Sequence, residues 1–189
     1  MKRFLLFLLL LMGTGRLMAR ETVDGYYLTL NNDTVRCKLE PRDLQVWYKV
    51  TIIDSTGKDI TYKAKDRKGI NGFGFVYQER KYDYLVKADE SNDYYFLMVM
   101  ETGPRLNLYY RFEYQSYGRG GTVRSEHYML EDTAKNVITV ENGLLSGYKR
   151  QIKEFLNGNP ALLDLFDKHV AHLGDLPEFV RIANSIVGS

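Results

Sequence analysis

Residues 103–121 read GPRLNLYYRFEYQSYGRGG, and hydrophobic or aromatic side chains occupy every second position in the middle of this stretch. Side chains alternate between the two faces of a β-strand, so a period of two predicts a strand with one buried and one polar face. The buried face would carry Leu106, Leu108, Tyr110, Phe112 and Tyr114, and the polar face Asn107, Tyr109, Arg111, Glu113 and Gln115. That tyrosine-bearing polar face is either a binding surface or only the outer covering of a sheet.

The segments before and after this strand have the same short runs, separated by turn signals. Residues 25–30 and 34–39 flank Asn-Asn-Asp at 31–33, which predicts a β-hairpin. Residues 94–100 (YYFLMVM) are apolar without alternation, as is typical of a central strand that is buried on both faces. Strands this short and this regularly spaced predict a mainly antiparallel, curled or barrel-like β domain over residues 20–142.

Residues 143–189 change to the three-to-four-residue spacing of amphipathic helices. Pro160 after Asn159 is typical of a helix start, and Asp175 with Glu178 has the spacing of a capping box for a further helix. Helices this short are not stable alone, so we expect them to pack on one another and on the sheet. The chain is therefore predicted to be an α+β protein in which a small C-terminal helical cap follows the β domain.

The N-terminal residues MKRFLLFLLLLMGTGRLMA predict a secretory signal peptide at positions 1–19. Lys2 and Arg3 form a basic start, an apolar run extends from Phe4 to Met12, and Ala19 offers a small residue for cleavage. This run is too short to cross a bilayer, which takes about 20 residues, and a retained N-terminal anchor is the alternative. No later stretch of the sequence is long and apolar enough to span a membrane. The mature chain is therefore expected in the periplasm, at the outer membrane or outside the cell.

The charge balance depends on the predicted signal peptide. Three of the 26 basic residues and none of the 24 acidic residues lie within positions 1–19, so the mature chain has 23 basic and 24 acidic residues. Nucleic-acid-binding domains carry a marked excess of Lys and Arg over Asp and Glu. The balance therefore argues against nucleic acid as a partner.

The sequence contains no motif that carries a known catalytic chemistry. Cys37, the one cysteine, shares a strand face with apolar residues, as a small buried side chain does, and cannot form an intrachain disulfide. His169 and His172 are three residues apart and could share one helix face as metal ligands, but such pairs near a helix end are more often solvated. The glycine-rich residues 69–74 lack the spacing of a phosphate loop. No catalytic residue, metal site or cofactor is predicted.

Short patterns at three places resemble glycosylation signals. Asn32-Asp33-Thr34 is a sequon for N-glycosylation. The pairs Asp33-Thr34, Asp54-Ser55 and Asp132-Thr133 resemble the Asp-Ser/Thr pattern that is used for O-glycosylation in some bacterial envelopes. Thr34, Ser55 and Thr133 are therefore candidate acceptors, and the same residues also fit ordinary turns.

Three segments are similar to a group of uncharacterised exported proteins of Bacteroidota. They are the hairpin GYYLTLNNDTVRCKL at 25–39, the strand pair at 95–110 and the tail KRQIKEFLNGNPALL that begins at Lys149. Cys37 stands where that group more often has Gly, and Asn159 stands where it often has Cys. The resemblance implies export, a sheet followed by helices and a Gram-negative envelope setting. It implies no activity and no catalytic residues.

These features together predict a non-catalytic binding or interaction protein of the bacterial cell envelope, with an envelope protein or glycan as its partner. The 15 tyrosines point to a Tyr-rich sheet face as the contact surface, because exposed aromatic rings stack on sugars and anchor protein partners. Tyr109, Arg111 and Tyr128 are the predicted binding residues. The alternatives are a small-ligand carrier with a pocket inside a curled sheet and an enzyme that acts on envelope glycans.

Overall fold

The structure is a computed structural model, and it describes residues 22–40, 48–66, 69–117, 121–141 and 147–186, with only the backbone of 115–117 and 121–122. The predicted signal peptide and residues 44–47 lie outside the described residues. Ten strands follow one another in the described chain: β1 (Val23–Leu28), β2 (Thr34–Leu39), β3 (Lys49–Ile53), β4 (Asp59–Lys63), β5 (Gly72–Tyr77), β6 (Arg80–Ala88), β7 (Tyr94–Glu101), β8 (Leu106–Tyr117), β9 (Gly121–Asp132) and β10 (Val137–Glu141).

All ten strands belong to one antiparallel sheet in the order β10-β9-β8-β7-β6-β5-β1-β2-β3-β4. The predicted mainly antiparallel β domain is confirmed. The sheet does not close into a barrel, because β10 and β4 form its two edges. The predicted hairpin of β1 and β2 is present, and β7 lies between β6 and β8, as its apolar sequence predicts.

Four hairpins share one five-residue turn whose sequence explains its shape. The side-chain oxygen of the first residue accepts a hydrogen bond from the backbone N–H of the fifth, as Asp54 does from Lys58 (3.0 Å) and Asp89 from Asp93 (3.0 Å). The fourth residue has the positive φ that Gly and Asn adopt most readily. These fourth residues are Asn32 (φ 66°), Gly57 (83°), Asn92 (61°) and Lys135 (68°).

The two faces of the sheet have different surroundings. We name the side of Leu106, Leu108 and Tyr110 the core face, and the side of Asn107, Tyr109 and Arg111 the reverse face. The helices cover the core face of β8, β9 and β10, while strands β1–β7 enclose an aromatic cluster on the same face. A smaller cluster lies on the reverse face; it consists of Leu97, Tyr109 and Met129.

The helical cap consists of α1 (Tyr148–Phe155), α2 (Pro160–His169) and α3 (Leu176–Ser185). The side chain of Asn159 accepts a hydrogen bond from the N–H of Leu162 at 3.1 Å, as the predicted N-cap should. The side chain of Asn184 accepts hydrogen bonds from the backbone N–H groups of Arg105 and Leu106, both at 3.0 Å, and so fastens α3 to the start of β8. The predicted α+β fold with a C-terminal helical cap is confirmed.

The predicted capping box of Asp175 with Glu178 is wrong. The Asp175 carboxylate turns back and accepts hydrogen bonds from the N–H groups of Ala171 (2.9 Å) and His172 (2.8 Å). It therefore caps the short 3₁₀ turn Leu173–Asp175 that precedes α3. No helix in the described residues is long and apolar enough to cross a membrane.

The sheet curls over its reverse face between β6 and β10. The Nζ atom of Lys87 on β6 reaches the carboxylate of Glu131 on β9 at 3.0 Å, across β7 and β8. One strand further along, the carboxylate of Glu90, in the turn between β6 and β7, accepts a hydrogen bond from the backbone N–H of Thr139 on β10. These contacts bring polar residues of the reverse face into the interior.

Strands β8 and β9 pair with each other over a longer stretch than with their outer neighbours. Within the described residues, β8 pairs with β7 as far as Tyr110 and β9 pairs with β10 as far as His127. The two strands pair with each other out to Tyr117 and Gly121. We name residues 111–117 and 121–126 the arm.

The hairpin of β5 and β6 generates a stability prediction. Gln78 and Glu79 form its two-residue turn with φ angles of 48° and 64°, a conformation that favours Asn-Gly. Replacing them together (Gln78→Asn with Glu79→Gly) should raise the free energy of unfolding by about 1 kcal/mol, because the strain of two side chains at positive φ is relieved. Urea denaturation measures the change.

The matched control for this turn is Gly57→Ala. Gly57 has a φ of 83°, and no described atom lies within 4 Å of its Cβ position. The substitution tests backbone conformation alone and should lower the free energy of unfolding by about 1 kcal/mol. A loss of stability in the Asn-Gly variant would contradict the strain argument.

Candidate functional site

Tyr109 and Arg111 do not lie on the solvent-exposed face that their sequence period predicts. Their exposed fractions are 2% and 9%, because the curled sheet covers the reverse face of β8. The prediction of an exposed binding surface at these residues is wrong. Their side chains instead belong to two adjoining groups of polar contacts in the interior that the curled sheet encloses.

The first group surrounds the buried carboxylate of Glu131. It accepts hydrogen bonds from Lys87 Nζ (3.0 Å to each oxygen), from the Tyr109 hydroxyl (2.8 Å) and from Asn107 Nδ2 (3.1 Å). Burial alone raises the pKa of Glu131, but these hydrogen bonds outweigh it, and the net pKa lies below its ordinary value. Burial and the hydrogen bond to Glu131 raise the pKa of Tyr109. The Glu131 carboxylate is thus an ionised acceptor whose donors all come from the protein itself. Such an arrangement stabilises the fold.

The second group is centred on Arg111 and His127. The Arg111 guanidinium lies 3.8 Å from the centre of the Tyr95 ring, and its Nη1 lies 2.7 Å from Glu113 Oε1. His127 Nδ1 lies 3.2 Å from Glu141 Oε1. Burial lowers the pKa of His127, and the nearby Arg111 charge lowers it further, against the opposing effect of Glu141 and Glu113. The imidazole is therefore held neutral near pH 7.

The space between these groups is too small for an organic ligand. The cavity beside Arg111, His127 and Thr139 has a volume of about 10 Å³. Ligand pockets usually measure about 300–1,000 Å³. Glycoside hydrolysis needs two carboxyl groups that face each other across a cleft. Glu113 and Glu141 instead flank the imidazole of His127. This part of the reverse face therefore lacks the geometry expected of a carrier or of a glycosidase.

Tyr128 is also buried, contrary to its predicted exposure, and it lies on the core face. Its ring packs against the Tyr110 ring with centroids 5.1 Å apart. The Tyr110 hydroxyl accepts a hydrogen bond from Arg124 Nη2 at 2.6 Å and donates one to Glu126 at 3.1 Å. Tyr128 therefore supports the base of the arm from within.

The exposed aromatic surface lies further out, on the core face of the arm. The Tyr114 side chain is 54% exposed, and its ring packs edge-on against the half-buried Phe112 ring at 5.4 Å. The Arg124 guanidinium lies 4.4 Å from the centre of the Phe112 ring, and it forms an ion pair with Glu126 at 3.1 Å. We name Phe112, Tyr114, Arg124 and Glu126 the aromatic patch.

Periodicity alone assigns Tyr114 to the buried face and so misses this patch. The assignment holds for Leu106, Leu108 and Tyr110, which the helical cap covers, but not for Tyr114 at the outer end of the strand. The hairpin register places Arg124 opposite Tyr114 and Glu126 opposite Phe112. Charged residues opposite aromatic ones are the sequence signal that this end of the face is open.

The candidate glycosylation residues are exposed at hairpin ends. Ser55 and Thr133 lie inside two of the five-residue turns, and Thr34 begins β2 directly after another. The acids that precede Ser55 and Thr133, namely Asp54 and Asp132, accept the hydrogen bonds that close their turns. The turns thus account for two of the Asp-Ser/Thr pairs, and modification stays a prediction.

The residues considered for metal or thiol chemistry are separate from the aromatic patch. Among the residues that the structure describes, no three His, Cys, Asp or Glu side chains are grouped as ligands of a metal ion. His169 and His172 are exposed near the end of α2. Cys37 is half-buried, and burial raises the pKa of its thiol to about 11, so the reactive thiolate is scarce at neutral pH.

The buried carboxylate of Glu131 generates a prediction about stability. Glu131→Gln removes the counter-charge of Lys87 and should lower the free energy of unfolding by about 3 kcal/mol. Lys87→Met combined with Glu131→Gln removes both charges and should cost clearly less than Lys87→Met and Glu131→Gln added together. Urea denaturation of the four proteins tests the pair. Additive losses would show that the two side chains do not interact.

The buried imidazole of His127 generates a prediction about pH. Its folded-state pKa lies below the unfolded value of about 6.5, so its contribution to stability is complete above pH 6.5 and is lost as the pH falls below that value. Each proton taken up on unfolding changes the free energy of unfolding by at most about 1.4 kcal/mol per pH unit. Denaturation from pH 7.5 to 4.5 should show this loss, whereas His127→Gln should remove it. The exposed His169→Gln is the control and should keep it.

Comparisons with known proteins give no relative whose function could be considered for this chain. No protein-family model, no curated protein and no solved structure matches the chain. The similarity to exported proteins of Bacteroidota stays a prediction from sequence. What the chain does must therefore be inferred from the aromatic patch and from the way in which the fold exposes it.

Proposed function

We propose that the chain is an exported, non-catalytic interaction protein of the bacterial cell envelope, and that it contacts its partner through the aromatic patch. The observation that carries the proposal is the 54% exposed Tyr114 ring beside the Phe112–Arg124 stack, on the arm where β8 and β9 pair with each other. Export rests on the sequence of residues 1–19, which has the pattern of a signal peptide.

The partner that this chemistry fits best is a protein. Tyr and Arg are among the side chains most enriched at protein–protein contacts, where a ring and a guanidinium supply apolar area together with hydrogen bonds. Small ligands prefer concave pockets, whereas the patch lies on an extended hairpin. The ion pair with Glu126 holds Arg124 over Phe112, so the surface is ordered before it binds. An envelope glycan that stacks on Tyr114 is the other outcome of the test.

A small-ligand carrier is the second candidate, and one observation favours it. An open groove of about 520 Å³ lies over β1, β2 and β5, where Tyr26, Arg36 and the exposed Val76 contribute to its walls. Its volume suits a small molecule, but its lining mixes charged with apolar residues. A small molecule that purifies with the native protein and is lost in Tyr26→Ala would favour the carrier.

The prediction for the leading proposal uses two tyrosines of equal exposure. A photo-cross-linking amino acid at position 114 should trap one defined envelope protein in cells, whereas the same group at position 48 should not. Tyr48 is 55% exposed and lies before β3, remote in sequence and in the sheet from the arm. With the purified partner, Tyr114→Ala should weaken binding at least tenfold, as a central contact residue does, and Tyr48→Ala should leave it unchanged.

Two results would contradict the interaction proposal. One is equal trapping at positions 114 and 48, which would indicate collision without a specific surface. The other is unchanged binding by Tyr114→Ala in a variant that unfolds at the normal temperature. Trapping of a polysaccharide at position 114 would move the partner to the glycan class.

A further inference from the structure

The reverse face of the N-terminal strands carries an aromatic side chain that lies along the sheet. Tyr26 on β1 donates a hydrogen bond from its hydroxyl to the Asp83 carboxylate on β6 at 2.6 Å. Strand β5 lies between these two strands, so the two backbones are about 10 Å apart. Side chains usually stand roughly perpendicular to a sheet, and a tyrosine that did so would not reach Asp83. The Tyr26 ring therefore lies across β5.

Gly74 on β5 provides the space for this ring. It is the residue opposite both Tyr26 and Asp83 in the strand register. A Cβ atom added to Gly74 would lie 2.7 Å from two atoms of the Tyr26 ring and 2.5 Å from an Asp83 carboxylate oxygen, closer than real Cβ atoms come. The missing side chain lets the ring rest on the backbone, and the hydrogen bond to Asp83 holds it there. The position of the ring is thus fixed before a ligand binds.

The Tyr26 ring is half-buried, and it lines the open groove of about 520 Å³ over β1, β2 and β5. The exposed side chains that share this lining are Asp24, Thr34, Arg36, Val76 and Lys81. In the described part of the chain, no hydrogen bond or ion pair engages the side chains of Asp24, Thr34 or Arg36. Their carboxylate, hydroxyl and guanidinium groups can therefore bond a ligand.

The charges of the lining argue against most classes of ligand. Exposed charged groups at Asp24, Arg36 and Lys81 do not suit a lipid or another apolar molecule. The Lys81 ammonium is already paired with the Asp83 carboxylate at 2.7 Å. The charges of Asp24 and Arg36 also balance, so the groove favours neither an anion nor a cation. The groove is complementary to an uncharged molecule that carries hydroxyl groups at its edge and has one apolar side.

We propose that this groove binds a pyranose sugar and that the Tyr26 ring is the platform on which the sugar stacks. C–H groups cover one side of a pyranose ring, and their slight positive charge suits the negative face of an aromatic ring. Val76, which is 60% exposed, adds apolar surface beside that ring. The hydroxyl groups of the sugar donate to Asp24 and accept from Arg36, and hydrogen bonds to charged groups are the stronger ones.

The sugar is either a free monosaccharide, as a carrier would hold, or one unit of an envelope glycan that runs through the open groove. The inference deepens the carrier candidate by naming the class of its ligand. It does not involve the arm, so it is independent of the proposed contact through the aromatic patch.

Saturation-transfer NMR with the purified protein tests the site. The probes are the methyl glycosides of glucose, galactose, mannose and N-acetylglucosamine, together with oligomers of the same sugars. At least one probe should receive saturation at its ring C–H protons, and Tyr26→Ala should raise the Kd of that probe at least tenfold. Tyr114→Ala changes the aromatic patch and should leave this Kd unchanged. Tighter binding of an oligomer assigns a glycan chain, and equal Kd values assign a free sugar.

Two further variants separate the platform from the fold. Gly74→Ala removes no side chain, but its methyl group would displace the Tyr26 ring, so the Kd should rise. Arg36→Gln changes an exposed side chain and should raise the Kd about tenfold, because a charged donor is lost. Thermal unfolding of each variant shows whether its fold is intact.

Three results would overturn the proposal. They are no saturation transfer to any of the sugar probes, an unchanged Kd in Tyr26→Ala, and a lower Kd for inorganic phosphate or free glycine than for every sugar. A small molecule other than a sugar that purifies with the native protein and is lost in Tyr26→Ala would also overturn it, while it would still support a carrier.

Discussion

The charged contact between Lys87 and Glu131 constrains the whole C-terminal half of the sheet. Lys87 lies on β6 and Glu131 on β9, three strand spacings apart, which is about 14 Å in a flat sheet. Side chains stand roughly perpendicular to a sheet, so the observed Nζ-to-oxygen contact of 3.0 Å requires the sheet to curl over its reverse face. Once the sheet curls, the buried Glu131 carboxylate needs partners inside, because a buried charge without one costs several kcal/mol. The contacts of Tyr109 and Asn107 with the same carboxylate meet this requirement.

The curl divides the molecule into covered and open regions. It buries the reverse face of β8 around Tyr109, and the helical cap covers the core face around Leu108. Strands β1–β7 enclose the aromatic cluster of the N-terminal half. The two longest strands continue past all of this. The exposed aromatic surface therefore lies on the arm, where the helical cap no longer covers the core face of β8 and β9.

The period of the sequence predicted the elements but not their surroundings. Alternation in β8, the unbroken apolar run of β7 and the Asn159-Pro160 helix start were each sufficient for the element concerned, because these signals act between neighbours in the chain. Whether Arg111 contacts water or the Tyr95 ring depends on how strands far apart in sequence curl. In sequence, a polar face whose side chains bond one another has the same pattern as a face exposed to solvent. For the same reason, Tyr114 was assigned to the core by its period, although the cap does not extend that far.

The separation of stability from recognition has a physical reason. Fully buried residues such as Leu108, Leu130 and Phe179 hold the sheet and the cap together, and none of them lies in the arm. In the described residues, the Tyr114 ring contacts one other aromatic ring, that of Phe112. Changes at the exposed Tyr114 ring should therefore leave these clusters intact. Glu131 is the opposite case, since its four hydrogen bonds join three strands and occupy both carboxylate oxygens. A residue whose hydrogen bonds are already made within the protein has little left to offer a partner, which is why the exposed end of the same two strands is the better place for one.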